Sequence, residues 1–502
     1  MKKDIKEIFA EIIGKIKGAT ARLWDKVKSL SRVAKEKAKA LFERAKGKAQ
    51  EWASVFEEKL GSIAPKIDMK VKKGALISLG ALIIAGLAFS ITVSACAKDT
   101  HVFVDDKCEN CGISSSLVYK FEYISETDSY SVSGRDIWRK KYDHVILPET
   151  YKGKPVSEVA PYAFDYSKRL TKVEIPDTVE VIGRGAFLAS GRLSEVVFND
   201  GLTTIDKEAF GACSRLDNLS FPETLLTVGH GAFFNCTKIS SIIIPDSVTT
   251  IDNHAFEGCK AMKSLELGAS VSYIGNMAFA FCDLDTVTGE SQSFYTEGDT
   301  LIEKESGIVF VGTNNSVVPE GATAIGNYAF SSRTTLSDLI LPASVKEIGT
   351  YAFYDCDGIK TASLGGVVSI GQRAFYSTTL LSELALPETL EVIGNEAFAN
   401  CASIAKLTIP DSVTEIGSKA FLNCESLSEI YLGSGVNYIG DKAFLFCVNI
   451  VKMEFADPNG WYVSKTADAV GDPISSEELQ NAEECHAFFT MKYKNYFWKK
   501  NP

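Results

Sequence analysis

Cysteine and histidine are the side chains here with the chemistry to hold a metal or act as nucleophiles, and their spacing sorts them into groups. His101, Cys108 and Cys111, with Cys96 upstream, give C-x4-H-x6-C-x2-C, a spacing that suits tetrahedral zinc bound through sulfur and imidazole nitrogen. A local Cys108 to Cys111 disulfide, or free thiols in a linker, uses the same residues without a metal. Cys485 and His486 lack a third group to orient the imidazole, so they make a poor nucleophile and base. His144, His230 and His254 stand alone, and neither a Gly-rich phosphate loop nor H-E-x-x-H occurs. These residues predict no catalytic site, and they leave zinc at His101, Cys108 and Cys111 as the one cofactor the sequence admits.

The remaining eight cysteines form a column. Cys213, Cys236, Cys259, Cys282, Cys356, Cys401, Cys424 and Cys447 each lie three residues after an Ala-Phe pair, where Ser167, Ser190 and Thr378 stand in other copies and Arg333 breaks the pattern. A place that accepts Cys, Ser or Thr wants a small, weakly hydrogen-bonding group, so these thiols are expected to be buried. Parallel side chains on neighbouring rungs also aim sulfurs poorly for a disulfide.

The elements that position this column follow from the Ala-Phe pairs themselves. Twelve pairs run from Ala163-Phe164 to Ala443-Phe444; nine of the eleven intervals are 23 residues, one is 22, and Phe279 to Phe330 is 51. A fixed period of this length marks a solenoid. Each copy reads L-x-x-I-x-I-P-x-x-V-x-x-I-G-x-x-A-F-x-x-C, as in residues 404–424. The L-x-x-I-x-I part predicts a short strand paired in parallel with its copy one repeat away, ended by prolines such as Pro176, Pro245 and Pro410. Glycine after the second apolar pair, as at Gly183, Gly326 and Gly417, predicts a left-handed or tight turn. The constant phenylalanine predicts a stack of rings along the interior.

These repeats resemble the BspA-like class of leucine-rich repeat, found in secreted and surface proteins of bacteria, over residues 144–455. The resemblance implies a leucine-rich-repeat solenoid of about 12 to 13 rungs with a parallel strand ladder. The long interval departs from the pattern: two β-rich runs flank Lys304-Glu-Ser-Gly307, which predicts a hairpin insertion near 289–318 protruding from the solenoid. A solenoid also needs covered ends. Residues 98–143 are expected to form a Cys/His linker and an N-terminal β cap, and the aromatic tail, 456–502, a C-terminal cap.

Charge divides the chain. Residues 1–73 carry 20 Lys and Arg against 10 Asp and Glu, and the remainder 33 against 54. An acidic body argues against nucleic acid as a partner, because affinity for a phosphate backbone rests on cations. Residues 74–95 are uncharged and long enough to span a bilayer. Lys70, Lys72 and Lys73 before them, and Asp99, Asp105 and Asp106 after, predict a cytoplasmic N-terminus and extracellular repeats. The expectation is one transmembrane helix, a signal anchor within 69–97, preceded over 1–68 by a Lys-rich amphipathic helical segment in the cytoplasm. Val93-Ser-Ala-Cys96 also resembles a lipobox and Ala95-Cys96-Ala97 an ordinary cleavage site, so a lipoprotein or a secreted form uses the same segment.

The outward positions of L-x-x-I-x-I, among them Glu174, Ile243, Glu266, Ile340, Thr408 and Tyr431, vary while the buried columns hold constant. Variation on a rigid, regular surface suits recognition of a macromolecule, protein or glycan. The expected function is therefore a membrane-anchored extracellular protein mediating binding or adhesion. The alternatives are a structural cell-envelope protein without a specific ligand, and an enzyme with its site in the caps or the insertion.

Overall fold

The computed structural model describes residues 119–134, 143–469, 471–481 and 487–500, together with the backbone of two short antiparallel strands, Phe103–Val104 and Lys107–Cys108. The chain divides into two compact units, Met1–Lys120 with His144–Lys154, and Phe121–Asp143 with Pro155–Pro502. The strands His144–Ile146 and Thr150–Tyr151 belong to the first. The repeats belong to the second.

Most repeats make two strands. L-x-x-I-x-I folds as a strand of three or four residues, such as Ser241–Ile243, which lies parallel to Ser264–Leu267 with Ile242 opposite Leu265. The second apolar pair forms its own two-residue strand: Thr204–Ile205 lies parallel to Thr227–Val228, and this ladder continues from rung to rung. The corner between the ladders is paired as well. Phe187 N–H donates to the Ala209 carbonyl at 2.7 Å and Ala189 N–H to the Gly211 carbonyl at 2.7 Å, and far down the array Phe398 and Asn400 repeat the two bonds to Ala420 and Leu422. No rung could satisfy these groups alone, and an unpaired buried amide or carbonyl is costly.

The glycine column opens the expected tight turn, as the Ala397 N–H donates to the Gly394 carbonyl at 3.2 Å, but without the left-handed backbone. A Cβ added at Gly394 would lie 2.7 Å from the Ile370 carbonyl of the preceding rung, and one at Gly183 would lie 2.7 Å from that of Val159. Neither glycine is left-handed. Close approach of two backbones favours glycine at these rungs, whereas Asp206 and Asp252 take the same place and the same bond, to Ile182 and Val228 at 2.9 Å, in two others. The left-handed residues come two positions later, and again two positions after the phenylalanine: Glu396 (φ 56°) and Asn400 (φ 62°), Lys419 (φ 56°) and Asn423 (φ 59°). Each non-glycine in this region costs about 1 kcal/mol, which the paired corner must offset.

The phenylalanines stack as expected. From Phe164 to Phe279 successive ring centroids are 5.0–5.5 Å apart with planes within 7°. From Phe330 to Phe444 they are 4.9–5.5 Å apart, an offset-stacked spacing that suits the ring quadrupole. The stack is interrupted where the long interval enters. There the insertion is a three-stranded antiparallel element, Phe294–Glu297, Thr300–Glu303 and Ile308–Gly312. It does not simply protrude: its last strand joins the ladder, parallel to Ala324–Ile325. At the N-terminal side of the repeats, Ser129–Gly134 runs parallel to Lys154–Val159 through Val132 and Val159. At the far end Phe497–Lys500 pairs antiparallel with Tyr438–Ile439 and Trp461–Ser464. Phe489 closes the stack, meeting Phe444 edge-on at 5.7 Å and lying against Trp498 at 4.0 Å. Lys500 donates to Asp457 at 2.6 Å, and this bond helps hold the carboxyl down at a pKa of about 2.

Two expectations about fold and location are corrected. The array has about 14 turns where 12 to 13 rungs were expected, because the insertion and the flanking strands add to the ladder. Among the described residues no helix is long and apolar enough to cross a membrane, so the transmembrane helix, the membrane contact through 74–95 and the single-pass topology built on it are not part of the fold as found. Residues 74–95 and the helical segment expected over 1–68 lie outside the described residues.

Phe256 is fully buried in the middle of the first stack, whereas Ser241 is exposed. Phe256→Ala is expected to lose about 3 to 5 kcal/mol in urea unfolding, and Ser241→Ala about 0.5 or less. Equal, small losses would contradict the role given to the ring stack.

Candidate recognition surface

The longer strands turn alternate side chains outward, so two residues per rung, one on each side of a buried one, face away from the core. Ile242, Leu265, Leu339 and Leu407 are buried while their neighbours Ile243, Glu266, Ile340 and Thr408 are exposed. Some charged members of this face pair with each other. Lys172 bridges Glu195 at 2.7 Å and Glu174 at 3.3 Å, Lys406 meets Glu429 at 3.0 Å, and Lys452 pairs with Glu454. Such exposed pairs contribute little to stability. Among the described residues no ion pair engages the exposed Glu266 or Glu383, and between the charges stand apolar side chains: Ile243 is 62% exposed, Ile340 71%, and Tyr431 38%.

The face is not continuous. Asn218, left-handed at φ 52°, interrupts the strand expected between Glu195–Val197 and Ser241–Ile243, and no pairing joins the rung at Leu219 to either side. At the insertion the rungs are tied by side chains instead. Asn314 donates to Asp283 and Asp285 at 2.8 Å each, its own N–H donates to the Leu284 carbonyl at 2.7 Å, and its oxygen accepts from Thr335 N–H at 3.0 Å. Lys263 adds a bond to Asp283 at 2.7 Å. Burial alone would raise the Asp283 pKa, but Lys263, Asn314 and the Thr334 N–H outweigh it and hold the carboxyl below its ordinary value. Nothing in the repeat pattern marked Asn314, because it lies in the one interval that breaks the period.

The cysteine column proves to be a hydrogen-bond column. Cys213 donates to the Phe187 carbonyl at 3.2 Å and Cys356 to that of Phe330 at 2.9 Å; Ser190 and Thr378 make the same bond to Phe164 and Phe353 at 2.8 and 3.2 Å. A single O–H or S–H donor is what the position requires. All eight thiols are free and buried, and burial pushes Cys213 and Cys356 up to about 12. Arg333 extends the rule. Its Nε donates at 2.7 Å to the carbonyl of Gly312, which stands where a phenylalanine would in the preceding rung, and its Nη1 donates to Ser331 at 2.9 Å. The longer side chain makes the column's bond across the insertion.

The candidate zinc ligands are placed only in part. Cys108 lies in the strand Lys107–Cys108, while His101, Cys111 and Cys96 fall outside the described residues, as do Cys485 and His486. Among the described residues no group of three or more His, Cys, Asp or Glu could hold a metal.

Comparison with known proteins agrees with this geometry. The sequence profile of the BspA type leucine rich repeat region matches in six copies, over residues 157–285, 310–366 and 362–460. A leucine rich cell surface protein from Faecalibacterium prausnitzii is similar at 27% identity, covering 68% of this chain and 93% of its own, with a TM-score of 0.50. The pneumococcal vaccine antigen PcpA shares the fold at 19% identity, covering 67% of this chain and 85% of its own, TM-score 0.51. A leucine-rich repeat protein from Bacteroides ovatus is 26% identical over 67% of this chain and 93% of its own, TM-score 0.47. No curated protein matches the sequence. The membrane anchor of the adhesion protein expected from the sequence is not supported, as no helix among the described residues is long and apolar enough to span a bilayer. The structural envelope alternative, which requires no such helix, agrees better with that finding.

Two outcomes are expected. Thiol reagents should label the eight column cysteines only after denaturation, with no disulfide between adjacent ones in the unreduced protein by mass spectrometry. Because the folded pKa of Asp283 lies below its unfolded value, its contribution to stability is present above about pH 4 and lost as pH falls through the folded pKa. Asp283→Asn should therefore flatten the acid limb of a stability profile measured between pH 5 and pH 2.

Proposed function

Since the chain belongs to the BspA-type leucine-rich-repeat family, we propose that it is a recognition scaffold whose strand face contacts a protein or glycan. Solenoids of this family typically present that face to such ligands. The observation that supports the reading is the exposure of Ile243 and Ile340 on a face where several of the charged neighbours pair with each other. An exposed apolar side chain on a rigid strand costs little conformational entropy to bury against a partner. Desolvated apolar anchors surrounded by polar neighbours are the usual source of binding energy.

The face varies in chemistry along its length, with Glu174 and Glu266 in one part and Thr408 and Tyr431 in another. A large partner touching several rungs would read that sequence of side chains. The second reading, a structural envelope protein, assigns the surface no ligand, and the same experiment separates the two.

The full chain is profiled against arrays of glycans and matrix proteins, followed by titration of the ligands retained. The double variant Ile243→Asp, Ile340→Asp should keep the parent's melting temperature within a few degrees and lose at least tenfold in affinity. Retained ligands that bind parent and variant equally would count against the strand face, and an array without any saturable ligand would favour the structural reading.

A further inference from the structure

The insertion leaves a gap in the solenoid wall. Val309 takes the ladder position of the repeat isoleucine, because Gly326 N–H donates to its carbonyl at 2.9 Å as Gly349 N–H does to Ile325 at 2.8 Å. In a regular rung the phenylalanine follows that isoleucine by five residues, as Phe330 follows Ile325. Here Gly312 fills the phenylalanine's place, donating to the Ala329 carbonyl at 2.8 Å, only three residues after Val309. The strand Ile308–Gly312 therefore cuts the corner two residues short. The omitted corner is a cleft of about 310 Å³ whose walls include Met277, Phe279, Phe310 and Tyr328.

The backbone of this cleft is unpaired in a specific pattern. At the preceding junction His254 N–H donates to the Asn276 carbonyl at 3.0 Å and Phe256 N–H to the Ala278 carbonyl at 2.8 Å. The equivalent groups one rung on are the Met277 and Phe279 amides, and neither has a hydrogen-bond partner among the described residues. Opposite them the carbonyl of Asn327, which would accept from the omitted corner, is also without one. The strand Tyr273–Ile274 likewise ends its sheet, with no pairing to the insertion. Two amides with the alternation of a ladder edge face one free carbonyl across a pocket walled by apolar and aromatic side chains.

We propose that this cleft receives an extended polypeptide segment of another protein, whose carbonyls take the Met277 and Phe279 amides and whose apolar side chain packs between Phe310 and Tyr328. The chemistry is that of strand addition, in which main-chain bonds supply affinity and one pocket supplies selectivity. It does not depend on the strand face, from which its residues are distinct. A sugar ring would stack on Tyr328 without needing two amides in alternation, so the backbone pattern favours a peptide.

A displayed library of random linear 12-residue peptides, panned on the full chain, supplies the probe. Enriched peptides should bind Ile308→Trp, which narrows the cleft, at least tenfold more weakly than the parent. They should also slow hydrogen exchange at the Met277 and Phe279 amides and leave His254 and Phe256 unchanged. In the free protein the first two amides should exchange faster than the second two. Met277→Trp narrows the cleft from its opposite wall and replaces Ile308→Trp if that variant fails to fold. Failure to enrich any peptide, peptides that bind both variants as tightly as the parent, or binding without protection of the two amides would overturn the proposal.

Discussion

A 23-residue rung cannot satisfy its own backbone. The corner directs amides at the carbonyls of the next rung and the two-residue strand directs them at the preceding one, while the longer strand bonds in both directions, so a regular turn of the solenoid is completed by its neighbours. This requirement explains the constancy of the repeat better than the hydrophobic columns do, since apolar side chains tolerate exchange at similar volume while backbone register does not. Once rungs must sit at hydrogen-bonding distance in two ladders and a corner, the rest is constrained. Glycine is favoured where the chains come closest, one donor is needed to finish the phenylalanine carbonyl, and aromatic rings at one position are brought into stacking range.

The same constraint accounts for the irregular places. Where the period fails, between Phe279 and Phe330, three substitutes appear together. Arg333 reaches a carbonyl that a thiol could not, Gly312 stands in for a phenylalanine, and Asn314 ties neighbouring turns through two aspartates. A Cβ on Gly312 would lie 2.0 Å from the Phe330 ring, so the missing side chain is a condition of keeping that ring in place. These replacements preserve the ladder on one side of the insertion and leave it incomplete on the other.

Much of this was legible in the sequence. The Ala-Phe period located the ring stack, and the Cys, Ser and Thr exchange identified a buried semi-polar position. Other features were misread for physical reasons. Glycine marks both left-handed turns and close approaches, and only the preceding rung's backbone distinguishes them at Gly183 and Gly394. The left-handed positions, filled by Glu396, Lys419 and their counterparts, carry no residue signature, because the paired corner imposes a conformation their side chains do not prefer. Asn314 and Arg333 act across an interval that no period describes. Charge asymmetry suggested a membrane topology, but the residues that carry it lie outside the described part of the chain, and the zinc spacing is in the same position apart from Cys108.

The thiol column has a consequence for how long the folded chain lasts. While the solenoid is closed, eight buried sulfurs donate to carbonyls, out of reach of oxidants. Global opening releases them together, 23 residues apart from Cys213 to Cys282 and from Cys401 to Cys447, and thiol exchange in an oxidising medium would then link them in pairings the ladder cannot accept. Refolding would compete with that chemistry and lose whenever oxidant is plentiful. The lifetime of the protein under such conditions is set by the rate at which rungs separate, so its durability is kinetic in origin.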